Sequence, residues 1–177
     1  MQTNTRHVAY AIVLIAIGVA LGPFTSFPVG IAKINPTQHF INIVSAVILG
    51  PWWAVGNALI IGILRNAMGV GTLLAFPGGM IGALLAGLLF RATYNLYVGA
   101  LGEIVGTGII AAVVSALLVA PMFMGTSMGM GVLIASFLGS TVVGTLIGIG
   151  ALKLLVRAGF LDENYQLSRR GALIRPS

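Results

Sequence analysis

The stretch GVLIASFLGSTVVGTLIGIGALKLLVR, Gly131 to Arg157, decides the fold class. From Gly131 to Leu152 it carries no charged side chain. A helix needs about 20 mostly apolar residues to cross a bilayer, and this block supplies them. The rest of the chain reads the same way. Hydrophobic residues make up 58% and charged residues 7%, with a mean hydropathy of +1.08. A soluble domain carries about 25% charged residues, and a surface this poor in charge would not stay dissolved. The chain reads as an all-α polytopic membrane protein.

Charges and Gly/Pro breaks divide the chain into six apolar blocks. The first runs from Val8 to Gly22. A polar, Pro-rich stretch follows, Pro23 to Thr37. The second block, Gln38 to Gly50, stops at Gly50-Pro51. The third begins at Trp52-Trp53 and ends at Arg65-Asn66. The fourth runs from Leu73 to Arg91, the fifth from Val98 to Ala120, and the sixth closes at Arg157. The expected architecture is therefore a six-helix transmembrane domain over residues 1–157 and a basic cytoplasmic tail over 158–177. The second and third blocks are short. A helix the length of the second rises only about 20 Å, so this pair either extends into its flanks or forms a broken pair covered by protein. Arg6 and His7 before the first block mimic a signal peptide, but Pro23 is unfavourable after a cleavage point, and a retained first span is simpler.

The net charge is +6 and the pI about 10.6. The cations punctuate apolar runs and collect at the C-terminus, at Lys153, Arg157, Arg169, Arg170 and Arg175. Flanks of membrane helices look like this, and a nucleic-acid-binding face does not. With both termini cytoplasmic, Arg6, Arg91, Lys153, Arg157 and the tail fall inside, and Lys33 and Arg65 fall outside. The positive-inside rule favours that orientation. Trp52 and Trp53 then sit at the inner interface.

Small residues recur at four-residue spacing: Ala16/Ala20, Gly18/Gly22, Ala83/Gly87, Gly102/Gly106 and Gly144/Gly148. Such spacing lets a second helix approach closely. Internal packing accounts for most of these pairs. A peripheral first helix with an alanine stripe would instead suit a separate protein.

Catalytic constellations are missing. The sequence has neither a Walker A motif nor a Rossmann glycine fingerprint, so no nucleotide hydrolysis or cofactor is expected. Asp162 and Glu163 lie in the tail, which leaves Glu103 without a carboxylate partner for acid–base work. His7 and His39 are far apart, there is no cysteine, and no metal-ligand spacing appears. The methionines between Pro121 and Gly131 read as a flexible lid with glycine hinges rather than a copper site.

Ionisable groups at membrane depth point to function by default. Lys33, His39 and Arg65 gather at the expected outer side. Asn35, Gln38, His39 and Asn42 crowd an otherwise apolar helix start, and this group is read as ligand-contacting. Phe76, in the Phe76-Pro77-Gly78-Gly79 turn, is expected to add an aromatic wall. For Glu103 the preferred account is a salt bridge to Arg91 or a hydrogen bond to glycine-rich backbone.

Three stretches resemble the ThiW family: FPVGIAKINPTQH (27–39) followed by ILGPWW (48–53), TLLAFPGGMIGALLAG (72–87), and GEIVGTG (102–108). The family consists of substrate-binding S components of energy-coupling factor (ECF) transporters. The resemblance implies a six-helix S-component-like bundle in a prokaryotic cell membrane. It implies capture of a vitamin precursor from outside, with hydroxyethylthiazole, the thiazole part of thiamine, as the expected ligand. It also implies a coupling transmembrane protein and two ABC-type ATPases as partners. The family's Ala-xxx-Ala motif, which contacts the coupling protein, matches Ala16 and Ala20. In this reading Gln38, His39 and Asn42 bind the ligand, and Lys33 and Arg65 shape its gate. Three other readings stay open: an S component for a different vitamin, a standalone proton- or ion-coupled transporter titrating Glu103, and a non-transporting scaffold.

Overall fold

The computed structural model describes residues 5–127 and 129–165. Beyond residue 165 the tail, with Arg169, Arg170 and Arg175, lies outside the described residues. Among the described residues there are six helices: α1 (Thr5–Thr25), α2 (Pro36–Ile48), α3 (Pro51–Ala67), α4 (Ala75–Thr93), α5 (Leu96–Phe123) and α6 (Met130–Arg157). A short antiparallel hairpin, β1 (Phe27–Val29) and β2 (Ala32–Ile34), links α1 to α2, with Phe27 paired to Ile34. Gly30 makes its turn at φ 58°, a positive φ that two-residue hairpin turns demand.

Four of the six helices, α1, α4, α5 and α6, are long and apolar enough to cross a membrane. The expected count of six spans thus becomes six helices, two of which, α2 with 13 residues and α3 with 17, fall short by length. Their brevity has a local cause. Asn35 caps α2 and Pro36 occupies its first turn, where a missing N–H costs nothing. Gly50, at φ 97°, breaks the chain between α2 and α3, and Pro51 starts α3.

Position explains why a short α2 is tolerated. It runs through the middle of the bundle, in contact with the other five helices. From Thr37 to Val47 every residue except Phe40 is buried. Protein rather than lipid surrounds its ends, so its freed backbone groups are sheltered.

The bundle is apolar on its outer surface as well as in its core, and several polar side chains are buried inside it. Ile12, Val13, Leu101, Leu117, Leu146, Ile147 and Leu154 point outward, while Asn42, Ser45, Asn57, Glu103 and Thr107 are buried. Apolar side chains gain nothing by leaving lipid, so helix contacts rest on close approach. A Cβ on Gly144 would overlap the Pro36 carbonyl, and one on Gly148 would overlap Ile43, which seats α6 on α2. A Cβ on Gly87 would come within 2.6 Å of Pro51 Cα, and Gly102 and Gly106 lie against the backbone of α4. These small-residue pairs serve internal packing. In α1 the two stripes separate: Gly18 and Gly22 are buried, against Ile61 and Arg65, whereas Ala16 and Ala20 are exposed.

Successive helices alternate in direction, so both ends of the described chain lie at the same end of the bundle. His7 stacks on Trp53 there, with ring centroids 6.4 Å apart, and Lys153 donates to the Tyr97 hydroxyl at 2.7 Å. A broad cleft at this end is lined by Arg6, His7, Trp52, Arg91 and Tyr165, among others. The hairpin, the start of α2 and the end of α3 occupy the opposite end.

Candidate ligand-binding site

At the hairpin end lies a narrow cleft, part of it open to the surface. Its wall draws on five helices, α2 to α6, and on β2. From the sequence-predicted set it includes Lys33, Asn35, Gln38, His39 and Arg65. Thr107, Phe137 and Ser140 complete its polar and aromatic lining.

Asn35 has a structural duty as well as a place in the wall. Its carbonyl oxygen accepts from the Gln38 N–H at 2.9 Å, while its amide donates to the Gly22 carbonyl at 3.1 Å and to Ser26 Oγ at 2.8 Å. It thereby fastens the end of α1 to the start of α2. Arg65 is only 2% exposed. Its guanidinium donates to Ser26 Oγ at 3.1 Å and to the Val70 carbonyl at 3.4 Å, and its Nε has no partner. Lys33 donates to the Gly69 carbonyl. Both cations therefore tie the hairpin and the end of α3 to the following turn, at the rim of the cleft.

Below the cleft lies a buried polar cluster on Glu103, which is fully shielded from solvent. Its Oε1 accepts from Asn42 Nδ2 at 2.9 Å and stands 3.0 Å from His39 Nδ1. Thr107 Oγ1 lies 3.2 Å away and donates to the Gly78 carbonyl at 2.7 Å. The expected pairing of Glu103 with Arg91 is not formed. Arg91 sits at the far end of the bundle and donates to the Leu49 carbonyl at 3.4 Å. Glu103 instead faces α2, because Gly82 leaves room: a Cβ there would overlap Thr107 Oγ1 and come within 2.7 Å of Glu103 Oε2.

Two further expectations change. Asn42 does not line the cleft. It lies beneath it, donating to the Gly79 carbonyl at 3.0 Å and accepting from Gln38 Nε2 at 3.2 Å. Phe76 does not line it either. Pro77 falls in the first turn of α4 rather than in a loop, and the Phe76 ring packs 3.3 Å from where a Cβ on Gly62 would sit. The aromatic wall is Phe137 of α6, which packs over Gly78. Sequence reading missed Phe137, Ser140 and Thr107. Thr107, four residues after Glu103, lies on the same helix face and carried the one available signal.

The Met/Gly loop lies at this end. Its Met124 packs on the cluster of Ala32, Leu74, Leu133 and Phe137, next to the cleft. Met122 and Phe123 are exposed. Among the described residues, no group of three or more His, Asp or Glu side chains is placed to hold a metal ion.

A family model described as thiamine-precursor transporter protein (ThiW) matches residues 8–158. No curated protein matches the chain.

Proposed function

This chain belongs to the ThiW family of thiamine-precursor transporters, and we propose that it is the substrate-binding S component of an ECF transporter, taking hydroxyethylthiazole from outside the cell. The observation that carries this reading is the cleft at the hairpin end. Gln38, with its unpartnered buried Oε1, and His39 reach it from a central helix, and Phe137 and Leu74 give it apolar walls. A small, nearly neutral heterocycle with one hydroxyl suits such a lining. Lys33 and Arg65 shape its gate, and the loop around Met124 closes over it.

Orientation follows from charge. Lys33 and Arg65 stand at the cleft end, whereas Arg6, Arg91, Lys153 and Arg157 stand at the other. The positive-inside rule puts the cleft outside and both termini in the cytoplasm of a prokaryotic cell, with all six helices counted as spans. Ala16 and Ala20 dock the coupling protein, which joins two ABC-type ATPases. In support, these alanines are exposed on α1 while Gly18 and Gly22 of the same helix are buried.

A second reading has one observation behind it. The His39–Glu103 pair is a titratable couple buried among membrane helices, as a proton-coupled carrier would need. Uptake of labelled hydroxyethylthiazole into proteoliposomes separates the two. The S-component reading expects accumulation only when the coupling protein and ATPases are co-reconstituted and ATP is supplied. Accumulation by this chain alone, driven by a pH gradient, would overturn it.

A further inference from the structure

The hydrogen bonds beneath the cleft have a direction, and it can be followed atom by atom. The Gly79 carbonyl can only accept, so the Asn42 atom 3.0 Å from it is the amide nitrogen. That nitrogen also donates to Glu103 Oε1 at 2.9 Å, which engages both of its protons. Asn42 Oδ1 is left facing Gln38, and an amide oxygen only accepts. The Gln38 atom 3.2 Å from it is therefore Nε2. The Gln38 oxygen ends the series. Gln38 lines the cleft and is 4% exposed, and its Oε1 is buried without a partner.

A buried acceptor with no donor is costly, and a ligand that donates to it removes that cost. We infer that the cleft selects ligands that donate a hydrogen bond at its inner wall, to Gln38 Oε1, and that Asn42 fixes this polarity without touching the ligand. The inference rests on the proposed reading of the cleft as the substrate site and adds the chemistry it accepts: a hydroxyl or amino group, not an ether, a carboxylate or a phosphate at that position. An anion brought to Gln38 Oε1 would set lone pair against lone pair. The cations stand elsewhere in the lining, with Lys33 on the Gly69 carbonyl and Arg65 on the Val70 carbonyl. The ligand therefore enters with its donor end toward Gln38 and its acceptor atoms toward the rim. Two other atoms of lining residues are unpartnered: Ser140 Oγ, which donates or accepts, and Arg65 Nε, which only donates, and both leave this polarity unchanged.

Two readouts test this. The first uses no ligand: side-chain amide NMR on protein labelled with ¹⁵N at glutamine. A Cβ on Gly79 would lie 3.4 Å from Gln38 Nε2, so the Gln38 NH₂ protons are expected to show nuclear Overhauser contacts to the Gly79 α protons. Contacts to Phe137 or Ser140 instead would put the amide the other way round and overturn the inference. The second is calorimetry with hydroxyethylthiazole and its methyl ether, which keeps the acceptor and loses the donor. The ether is expected to bind about tenfold weaker or worse, since a site built around a hydroxyl rejects an analogue that leaves its buried group unpaired. Equal affinities would overturn the inference. No heat from either compound would remove the thiazole reading, and the amide contacts alone would then decide the polarity of the cleft.

Discussion

His39 Nδ1 stands 3.0 Å from Glu103 Oε1, across the contact between α2 and α5, and both residues are buried. Asn42, one turn further along α2, shares the same carboxylate oxygen. Glu103 is thus the pin between the helix that carries the candidate ligand contacts and the helix behind it.

Removal of that pin has a predicted cost. Glu103→Ala strands the Asn42 amide and the His39 ring in a buried site, each a loss of about 1–3 kcal/mol. Thermal unfolding in detergent is expected to show a clear fall in Tm. Glu103→Gln keeps an acceptor for Asn42 and is expected to be much milder. In the S-component reading Glu103→Gln retains ATP-driven uptake, whereas a carrier that titrates Glu103 would lose transport altogether.

The room that Gly82 leaves for this cluster gives a second prediction. Gly82→Ala drives a methyl group into Thr107 Oγ1 and toward Glu103 Oε2. Overpacking of this kind costs about 1–3 kcal/mol. Thr107→Ala removes the obstructing hydroxyl, so the double variant is expected to recover part of the loss. A double-mutant cycle on Tm measures the coupling. Strict additivity would show that the two residues do not meet.

The exposed alanines give a third. Ala16→Leu with Ala20→Leu leaves the fold and ligand binding intact, because both side chains face outward. In the S-component reading, co-purification of a coupling protein is expected to fail. Gly18→Leu acts differently: its Cβ would lie 2.7 Å from Ile61 Cδ1, so the bundle itself is expected to destabilise. A coupling protein that still co-purifies with the alanine variant would remove α1 from the docking surface.

The helices were legible because their signals are local. Unbroken apolar runs mark α4, α5 and α6, and Gly50-Pro51 marks the break before α3 within a residue or two. The crowding of Asn35, Gln38 and His39 at one helix start identified part of the cleft wall, because polar residues there have no lipid-facing reason to exist. The pairing of Glu103 differs because its partner is distant in sequence. Glu103 and His39 are 64 residues apart, and nothing near Glu103 announces which helix it faces. Arg91 was the nearer cation in sequence and lies at the wrong end of the bundle. Phe76 lies away from the cleft because the Phe76-Pro77-Gly78-Gly79 stretch is the first turn of α4, where proline is tolerated, and the ring packs toward Gly62. Phe137 was hidden in an apolar run, where no local feature separates a ring facing a cleft from one facing lipid.

The measurement that bears most directly on the central claim is calorimetry of the purified chain with hydroxyethylthiazole, without ATP or partner subunits. A substrate-binding subunit is expected to give saturable binding at one site, weakened about tenfold in Gln38→Ala by loss of its hydrogen bond. No saturable heat, or binding indifferent to Gln38→Ala, would contradict the account.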